Sequence, residues 1–343
     1  MRYKIALIRG GGIGPEQSEA TLTVISKVEE ILGLDLEIIE AEAGDRCLAE
    51  RGKPLPEDTV EILRESHACL KGPVGETAAD VIVKIRQLFD LYANVRPAKS
   101  LPGAPALRPD VDLVVVRENT EGLYKGYEYE VDDAAIGLRV ITKRGSERIA
   151  RYAFELALKR KRKVIAVHKA NVMRLTCGLF AKTCREISKE YPEVSFSEMY
   201  VDAAAMNLIR SPQDFDVIVT TNMFGDILSD EAAQVVGGLG LAPSGNIGEG
   251  FAVFEPVHGC APDIAGKNIA NPVSMILSAS MMFEWLGSKN GDEKSLTASR
   301  LLAEAVEEAL RRGISTPDLG GSESTTSFGG KVAEILAEIS EKT

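Results

Sequence analysis

Two aspartates, Asp226 and Asp230, lie four residues apart in the stretch NMFGDILSD, between apolar residues. The stretch predicts a helix, and the four-residue spacing puts both carboxylates on one face of it, one turn apart. Like charges at this spacing repel each other, and the repulsion grows when the face is enclosed. The pair therefore indicates either a solvated acidic face or a site for a hard cation, which prefers several carboxylate oxygens.

Three arginines stand beside otherwise apolar segments: Arg86 and Arg96 in IRQLFDLYANVRP, and Arg117 in VVVRENTEGLY. A lone arginine usually pairs with a surface carboxylate, and this chain has 51 acidic residues. Three converging guanidinium groups would instead make bidentate contacts with a small molecule that carries two carboxylates. We therefore treat the three arginines as a candidate substrate clamp.

Three further side chains have the chemistry of proton transfer or metal binding. Lys169 follows the apolar run VIAVH, and a lysine at such a strand end can act as a base when it is buried beside a cation. Tyr124 is a candidate acid that would complement this base. Asp202 begins a helix of small residues, where it is either an N-cap or a third carboxylate for a hard cation.

Elements that could position these groups alternate along the chain. Short β-branched runs, several of which end in polar residues, are separated by amphipathic stretches. This alternation predicts α/β architecture, in which ligands bind at the carboxyl ends of the strands. The predicted elements are strands in 4–8, 36–42, 111–119, 163–171 and 215–222, and helices in 15–32 and 57–66.

At 343 residues the chain is too long for one ordinary core, so we expect two domains. Proline is dense in 96–110 and glycine in 235–250, and each segment is a candidate crossing between domains. The predicted division is a discontinuous cofactor-binding domain, residues 1–97 plus 238–343, and a substrate, metal and dimerisation domain, residues 98–237. Within the second, β-prone segments in 124–143 flank two aspartates and predict a hairpin arm suited to dimer contacts.

Composition excludes several classes of partner. The net charge of −11 would repel a phosphate backbone or an anionic membrane, so we expect neither as a partner. No apolar run approaches the length of a membrane span, and the N-terminal run is too short for a signal peptide, so we expect a cytoplasmic protein. The five cysteines are odd in number and lack C-x-x-C spacing, which indicates free, mostly buried thiols.

The glycine-rich turn RGGGIGPE follows the first strand and opens a helix, so its backbone amides could approach a ligand phosphate or ring. It is not a dinucleotide fingerprint, because Pro15 stands where G-x-G-x-x-G requires glycine, and no G-K-[ST] follows. A tight structural turn and a ligand-binding loop both remain open.

Seven blocks, spread in order over nearly the whole chain, resemble the β-decarboxylating dehydrogenases: the isopropylmalate, isocitrate, homoisocitrate and tartrate dehydrogenases, the first most closely. The blocks are GGGIGPE, KIRQLFDLYANVRPAKS, VVRENTEGLYKG, VHKANVMR, YVDAAAMNL, NMFGDILSDEAA and FEPVHGCAPDIAGKNIANP. The resemblance implies the two-domain α/β fold of isopropylmalate dehydrogenase, with a discontinuous first domain and a β-arm in the second. It also implies a homodimer, or a tetramer built from it, that oxidises a 2-hydroxy acid with a 3-carboxylate and then releases carbon dioxide.

The resemblance also assigns the metal and proton-transfer roles. Asp226 and Asp230 of one subunit, with Asp202 of the other, are implied ligands of Mg2+ or Mn2+. Lys169, from the partner subunit, is the implied base that takes the hydroxyl proton. Tyr124 is the implied acid that protonates the carbon left after decarboxylation. A hard divalent ion would neutralise the acidic pair and stabilise the oxyanion charge of the reaction.

Substrate and cofactor residues follow from the same resemblance. Asp263 and Ile264 stand where NADP-using relatives carry lysine and tyrosine, and a carboxylate accepts ribose hydroxyls but repels a 2′-phosphate, so we expect NAD. Gly11 departs from the aspartate that is usual in the glycine-rich turn. The implied substrate residues are Arg86, Arg96, Arg117 and Asn171. The implied cofactor residues are Ile13, Glu255, His258, Gly259, Asp263, Ile264 and Asn271.

Among the acids of this family we favour 3-isopropylmalate, an intermediate of leucine biosynthesis. Ile82 and Val83 lie one helical turn before Arg86, where they would suit an isopropyl group and leave a third carboxylate unpaired, at a cost of several kcal/mol. Homoisocitrate and isocitrate are the alternative substrates. An alternative of another class is a non-catalytic regulatory subunit, but it would have no reason to retain every charged group of the pocket.

Overall fold

Strands form where the sequence places β-branched runs, and residues 2–75, 77–78 and 80–342 are described by the computed structural model. The strands that build the main sheet and the arm are β1 (Arg2–Ile8), β2 (Asp35–Glu40), β3 (Ala68–Lys71), β4 (Ala93–Lys99), β5 (Asp112–Glu118), β6 (Glu128–Val131), β7 (Ala134–Gly137), β8 (Lys163–His168), β9 (Ser195–Tyr200), β10 (Val217–Thr220), β11 (Pro243–Ile247) and β12 (Ala252–Pro256).

Helices cover the sheet and carry much of the core. They are α1 (Gly14–Leu32), α2 (Asp45–Arg51), α3 (Glu57–Glu65), α4 (Asp80–Leu88), α5 (Lys143–Leu158), α6 (Thr176–Ser188), α7 (Val201–Arg210), α8 (Asn222–Val235), α9 (Val273–Asn290), α10 (Glu293–Arg311) and α11 (Thr325–Ser340). The largest apolar cluster joins β1, β4, β5 and β12 to α1, α5, α9, α10 and α11.

One ten-stranded sheet crosses the molecule in the order β2-β1-β3-β12-β11-β4-β5-β10-β8-β9. Its two flanks are parallel: β2, β1, β3 and β12 on one side, and β5, β10, β8 and β9 on the other. Between them, β11 and β4 pair antiparallel with each other and with their outer neighbours. The predicted α/β fold is confirmed. The predicted division into residues 1–97 plus 238–343 and residues 98–237 would cross this continuous sheet at β4, and it stays a prediction.

Side chains alternate between the two faces of the central strands and separate core from polar groups. Val95 of β4, Ile247 of β11 and Phe254 of β12 are buried in the largest apolar cluster. Their chain neighbours Arg96 and Asn246 are also buried but belong to a polar network on the opposite face. Polar residues at the centre of a sheet are costly unless they are hydrogen-bonded, so this face is built for a ligand or for a network.

The remaining structural predictions concern the arm, the cysteines and the first residues of α7. The predicted strands and helices are confirmed, and the arm forms as the antiparallel pair β6–β7. All five cysteines are buried, and none forms a disulfide within the described residues. Asp202 is not an N-cap, because Tyr200 occupies that position and α7 begins at Val201. Among the described residues, no helix is both long and apolar enough to cross a membrane.

Candidate active site

A cavity of about 850 Å³ lies on the polar face of the central strands. Its wall combines charged residues from α4, β3, β4, β5, α8 and β12 with the loop that follows β12. The residues that line it include Lys71, Asp80, Ile82, Val83, Arg86, Arg96, Arg117, Leu123, Tyr124, Glu128, Asp226, Glu255, His258 and Gly259.

The three predicted arginines converge on this cavity, and two of them are held through α8. Arg117 is 1% exposed; its Nε donates to Asn222 Oδ1 at 2.8 Å and its Nη1 donates to Asp226. Arg96 donates from Nη1 to Ser229 Oγ at 2.8 Å and to Asp230 Oδ1 at 3.1 Å. The α8 residues therefore fix one edge of each guanidinium group.

The third arginine is held by β11, since Arg86 Nε donates to Asn246 Oδ1 at 2.9 Å. In Arg117 the remaining nitrogen, Nη2, is buried and has no hydrogen-bond partner in the part of the chain that the structure describes. A buried donor without a partner costs free energy, so this atom indicates a missing acceptor. A ligand carboxylate would supply that acceptor.

Electrostatics favour an anionic ligand. Burial, followed by the charges of Arg86 and Arg96, lowers the pKa of Arg117 to about 9. Burial also lowers the pKa of Arg86, and Arg96 adds to that effect. Three mutually repelling cations in an enclosed space are stabilised by any anion that pairs with them, and guanidinium groups suit carboxylates best.

Asp226 and Asp230 lie one turn apart on α8, as predicted. Asp226 accepts from Tyr124 Oη at 2.5 Å and from Arg117, and lies 3.3 Å from Arg96 Nη1. Burial would raise the pKa of Asp226, but the charges of Arg117 and Arg96 outweigh it, so the pKa lies below its ordinary value. Burial raises the pKa of Asp230 despite the charge of Arg96. Asp226 is thus ready to bind a cation as a carboxylate.

This donor set fits Mg2+ or Mn2+ in type but is incomplete in one chain. Two carboxylates on one helix face supply hard oxygen ligands. Within residues 2–75, 77–78 and 80–342, no group of three or more His, Cys, Asp or Glu side chains gathers into a metal site. A third carboxylate from outside the chain would complete it.

Lys169, Asp202 and Asn171 lie elsewhere in the same chain. Lys169 Nζ donates to Asp202 Oδ1 at 2.5 Å, and Asn171 is exposed in the turn after β8. None of the three belongs to the cavity wall. The chain therefore presents a lysine and a carboxylate together at a place that is separate from its own clamp.

The loop after β12 forms the rest of the cavity wall. His258 Nε2 lies 3.1 Å from Gln17 Nε2, and its Nδ1 lies 2.9 Å from Gly259 O. Burial lowers the pKa of His258, which favours the neutral ring. Because Gln17 Nε2 can only donate, the acceptor is Nε2 of the neutral histidine, and Nδ1–H donates to the carbonyl.

Four other predicted cofactor residues lie outside the cavity wall: Ile13, Asp263, Ile264 and Asn271. Ile13 is buried, and its N–H donates to the Cys260 carbonyl at 2.9 Å. Asn271 is buried and donates to Asp318 Oδ2 at 3.0 Å. Asp263 is exposed and Ile264 half-buried; neither belongs to the cavity wall, although they follow directly on the residues that do.

The carboxylate of Glu255 is bound by protein groups. It accepts from Lys71 at 2.6 Å, from Asn246 at 2.8 Å and from Arg86 at 3.5 Å. Burial would raise the pKa of Glu255, but Lys71 and Arg86 lower it to about 2. Glu255 thus reaches the cavity wall as part of a buried ion-pair network.

The glycine-rich turn packs tightly against this loop. A Cβ at Gly12, where φ is +57°, would lie 2.0 Å from the Cys260 carbonyl oxygen, so only glycine fits. Gly11 is different, because the nearest atom to its Cβ position is 3.8 Å away and its N–H donates to Pro73 O at 2.7 Å. The turn therefore stays fixed through its backbone without the usual aspartate.

Sequence reasoning missed several buried polar groups that support this site, including Asn246 and Lys71. Asn246 and Lys71 lie on central strands and are buried, yet both contact Glu255. Asn246 stands in a glycine-dense segment that we expected to be a connection, and that segment contains β11 at the centre of the sheet. Alternation of polar and apolar residues in this segment, with Asn246 next to Ile247, is the signal that could have indicated a strand with one polar face.

Comparisons with known proteins place this geometry in context. The sequence profile described as "Isocitrate/isopropylmalate dehydrogenase" matches residues 4–332. A 3-isopropylmalate dehydrogenase of Sulfurisphaera tokodaii is 54% identical over 327 residues, which cover 95% of this chain and 96% of that protein. An isocitrate/homoisocitrate dehydrogenase of Thermus thermophilus is 51% identical over 346 residues, covering 99% of this chain and 100% of that protein. The crystal structure of isocitrate dehydrogenase from Methylococcus capsulatus matches with a TM-score of 0.90 and 44% identity, covering 97% of this chain and 99% of that one.

Proposed function

The chain belongs to the isocitrate/isopropylmalate dehydrogenase family, and we propose that its substrate is 3-isopropylmalate, which it oxidises and decarboxylates with NAD and Mg2+ or Mn2+. The reaction would serve leucine biosynthesis. The similarity to the 3-isopropylmalate dehydrogenase of S. tokodaii supports this choice, but the isocitrate/homoisocitrate dehydrogenase is almost as similar. The cavity wall supplies the more specific argument.

The wall beside Arg86 carries that argument. Ile82, Val83 and Leu123 are apolar and line the cavity, so they can cover an isopropyl group. Asp80 and Glu128 line the same cavity and are acidic. A third carboxylate, as in isocitrate or homoisocitrate, would meet apolar surface and two like charges there, both of which are unfavourable.

The chain's own groups then perform most of the reaction. Arg86, Arg96 and Arg117 bind the two carboxylates and hold the 2-hydroxyl group toward Asp226. The bound metal ion would stabilise negative charge on the substrate oxygens, and NAD would accept the hydride from C2. Lys169 of the partner subunit takes the hydroxyl proton.

After the 3-carboxylate leaves as carbon dioxide, Tyr124 Oη gives a proton to C3. Burial, followed by the hydrogen bond to Asp226, raises the pKa of Tyr124, which keeps the phenol protonated and able to act as an acid. The acid and the carboxylate of Asp226 are therefore already paired in the cavity.

The partner subunit is required because Lys169 and Asp202 pair with each other outside the cavity wall. In a symmetric dimer the same surface on the two chains can complete both cavities. NAD would occupy the side formed by residues 256–262, with His258 toward the adenine and Asp263 toward the ribose. The domain division proposed from the sequence would then separate a cofactor side from a substrate side.

Turnover with candidate acids tests the proposal. We expect NADH absorbance to rise with Mg2+ and 3-isopropylmalate, with kcat/KM at least about tenfold above isocitrate, homoisocitrate and tartrate. Addition of a chelator should abolish the rate, and excess Mg2+ should restore it. A higher kcat/KM for isocitrate or homoisocitrate than for 3-isopropylmalate would show that the substrate is one of those acids. Failure to turn over any of the acids would favour a regulatory subunit.

A further inference from the structure

One side-chain amide, that of Asn246, connects two of the three clamp arginines. Asn246 is fully buried on β11. Its Oδ1 accepts from Arg86 Nε at 2.9 Å, from Asn94 Nδ2 at 3.1 Å and from Asn119 Nδ2 at 3.0 Å. Asn94 in turn accepts from Arg96 Nε at 2.7 Å. The same oxygen therefore holds one arginine directly and a second through a single amide.

The orientation of this amide is fixed from its other side. Asn246 Nδ2 donates to Glu255 Oε1 at 2.8 Å and to the Val253 carbonyl at 3.3 Å. Glu255 Oε2 is paired with Lys71 Nζ at 2.6 Å. Because the oxygen faces three donors and the nitrogen faces two acceptors, a flipped amide would lose every one of these bonds.

We propose that Asn246 is a positioning residue for the hydroxy acid: its amide holds Arg86 and Arg96 in the arrangement that binds two carboxylates. The inference rests on the proposed function, in that these arginines bind the acid. Arginine side chains have many rotamers, and ordering them before the substrate arrives removes that cost from binding. Asn246 also donates to Glu255, an implied cofactor residue, but Lys71 holds that carboxylate from its other oxygen, so we expect NAD binding to depend on Asn246 much less than acid binding does.

Replacement of the amide provides the first test. Asn246→Ala removes the shared acceptor, whereas Ile247→Ala removes the next side chain of β11, which packs on the opposite face in the core. We expect Asn246→Ala to weaken malate binding about tenfold or more in titration calorimetry with Mg2+ and without NAD, and to leave the Kd of NAD within about threefold. Malate is used because it is the core shared by all candidate acids. Equal malate binding by Asn246→Ala and Ile247→Ala would overturn the proposal.

An acid at the same position provides a readout that a purely structural role would not give. In Asn246→Asp the introduced carboxyl faces Arg86 on α4 and Glu255 on β12, whose own partner is Lys71 on β3. When protonated it can accept from Arg86 and donate to Glu255, as the amide does; when ionised it repels Glu255. We expect malate affinity to approach that of the wild type as the pH falls and the carboxyl is protonated, and to approach that of Asn246→Ala as the pH rises and it ionises, each compared at the same pH. A ratio to wild type that is flat across the titration of this carboxyl would contradict the proposal.

Different results would contradict the proposed function and the positioning role of Asn246. A wild type that binds malate but oxidises none of the acids would end the proposed function, while the binding comparison still decides the role of Asn246. A wild type that turns over 3-isopropylmalate, with malate affinity unchanged in Asn246→Ala, would end only the positioning role. A wild type that binds no malate would end both.

Discussion

Asp80 lies on the cavity wall, six residues before Arg86 on α4. At the rise of an α-helix that spacing is about 9 Å along the axis, with Val83 halfway between them. A C3 substituent bound beside Arg86 would therefore pass Val83 first and approach Asp80 only if it were long. The charge of Asp80 would act mainly on the third carboxylate of isocitrate or homoisocitrate.

We expect Asp80→Asn to raise kcat/KM for homoisocitrate by about tenfold, because the like-charge repulsion is removed. Activity with 3-isopropylmalate should change by less than about threefold, since its substituent carries no charge. Steady-state NADH assays with both acids measure the ratio of kcat/KM for homoisocitrate to kcat/KM for 3-isopropylmalate. Glu61→Gln, on α3, is the matched control and should leave it unchanged; an unchanged ratio in Asp80→Asn would remove Asp80 from the specificity argument.

The buried carboxylate of Glu255 makes the stability of the fold depend on pH. Its pKa falls from about 4.5 to about 2 in the folded protein, despite burial, because of Lys71 and Arg86. A lowered pKa means that the carboxylate stabilises the fold above pH 4.5, and that this contribution is lost as the pH falls from 4.5 toward 2. Glu255→Gln removes the charge and leaves Lys71 buried without its ion pair.

We therefore expect Glu255→Gln to lower the free energy of unfolding by about 3 kcal/mol at pH 7. The difference from wild type should shrink as the pH falls below 4.5. Urea unfolding at several pH values measures it. Glu249→Gln, at an exposed glutamate in the turn between β11 and β12, should show no such pH dependence. A difference in Glu255→Gln that stays constant down to pH 3 would rule out the ion-pair explanation.

Among the elements, α7 exposes apolar side chains that a surface helix normally buries. Met206 and Ile209 are 58% and 59% exposed, and Leu175, near the start of α6, is 88% exposed. The arm β6–β7 adds Tyr129 and Ile136. Large exposed apolar side chains of this kind indicate a protein interface, and Asp202 lies on the same helix as two of them.

We expect Met206→Glu to dissociate the proposed dimer into monomers, because a buried unpaired charge would be costly in the interface. The monomer should lose most activity, since Lys169 and Asp202 would no longer reach a neighbouring cavity. Analytical ultracentrifugation and NADH assays at the same concentrations measure both effects. Leu107→Glu, also at an exposed leucine but in the loop before β5, is the matched control. A fully active monomer would contradict the shared site.

The elements also show what the sequence could predict. Strands such as β5, β8 and β10 were predictable because β-branched runs with polar ends are typical of buried parallel strands. β11 was not, because glycine and proline lower strand propensity and one of its two partner strands is β4, whose paired residues are 150 to 154 positions away along the chain. The clamp was predictable only as three arginines; that Asn246 connects two of them depends on this long-range pairing, which no local pattern contains.

For the whole molecule, the decisive question is which chain supplies which group to a cavity. Each chain holds Arg117, Tyr124 and Asp226 together, and holds Lys169 with Asp202 at a different surface. If the partner supplies the second set, one active site contains two chains. A defect in one set can then be complemented by a chain that carries a defect in the other.

We expect Lys169→Ala and Asp226→Asn to be inactive separately, each with kcat at least about 100-fold below wild type. Mixing the two after subunit exchange should recover about a quarter of wild-type activity, because half of the dimers are then mixed and each mixed dimer has one intact site of two. Mixing Tyr124→Phe with Asp226→Asn is the control, since both belong to the same cavity and no intact site can form. No recovery in the first mixture although exchange is verified would show that each chain builds its site alone. Recovery in the control would show that Tyr124 and Asp226 do not belong to the same active site.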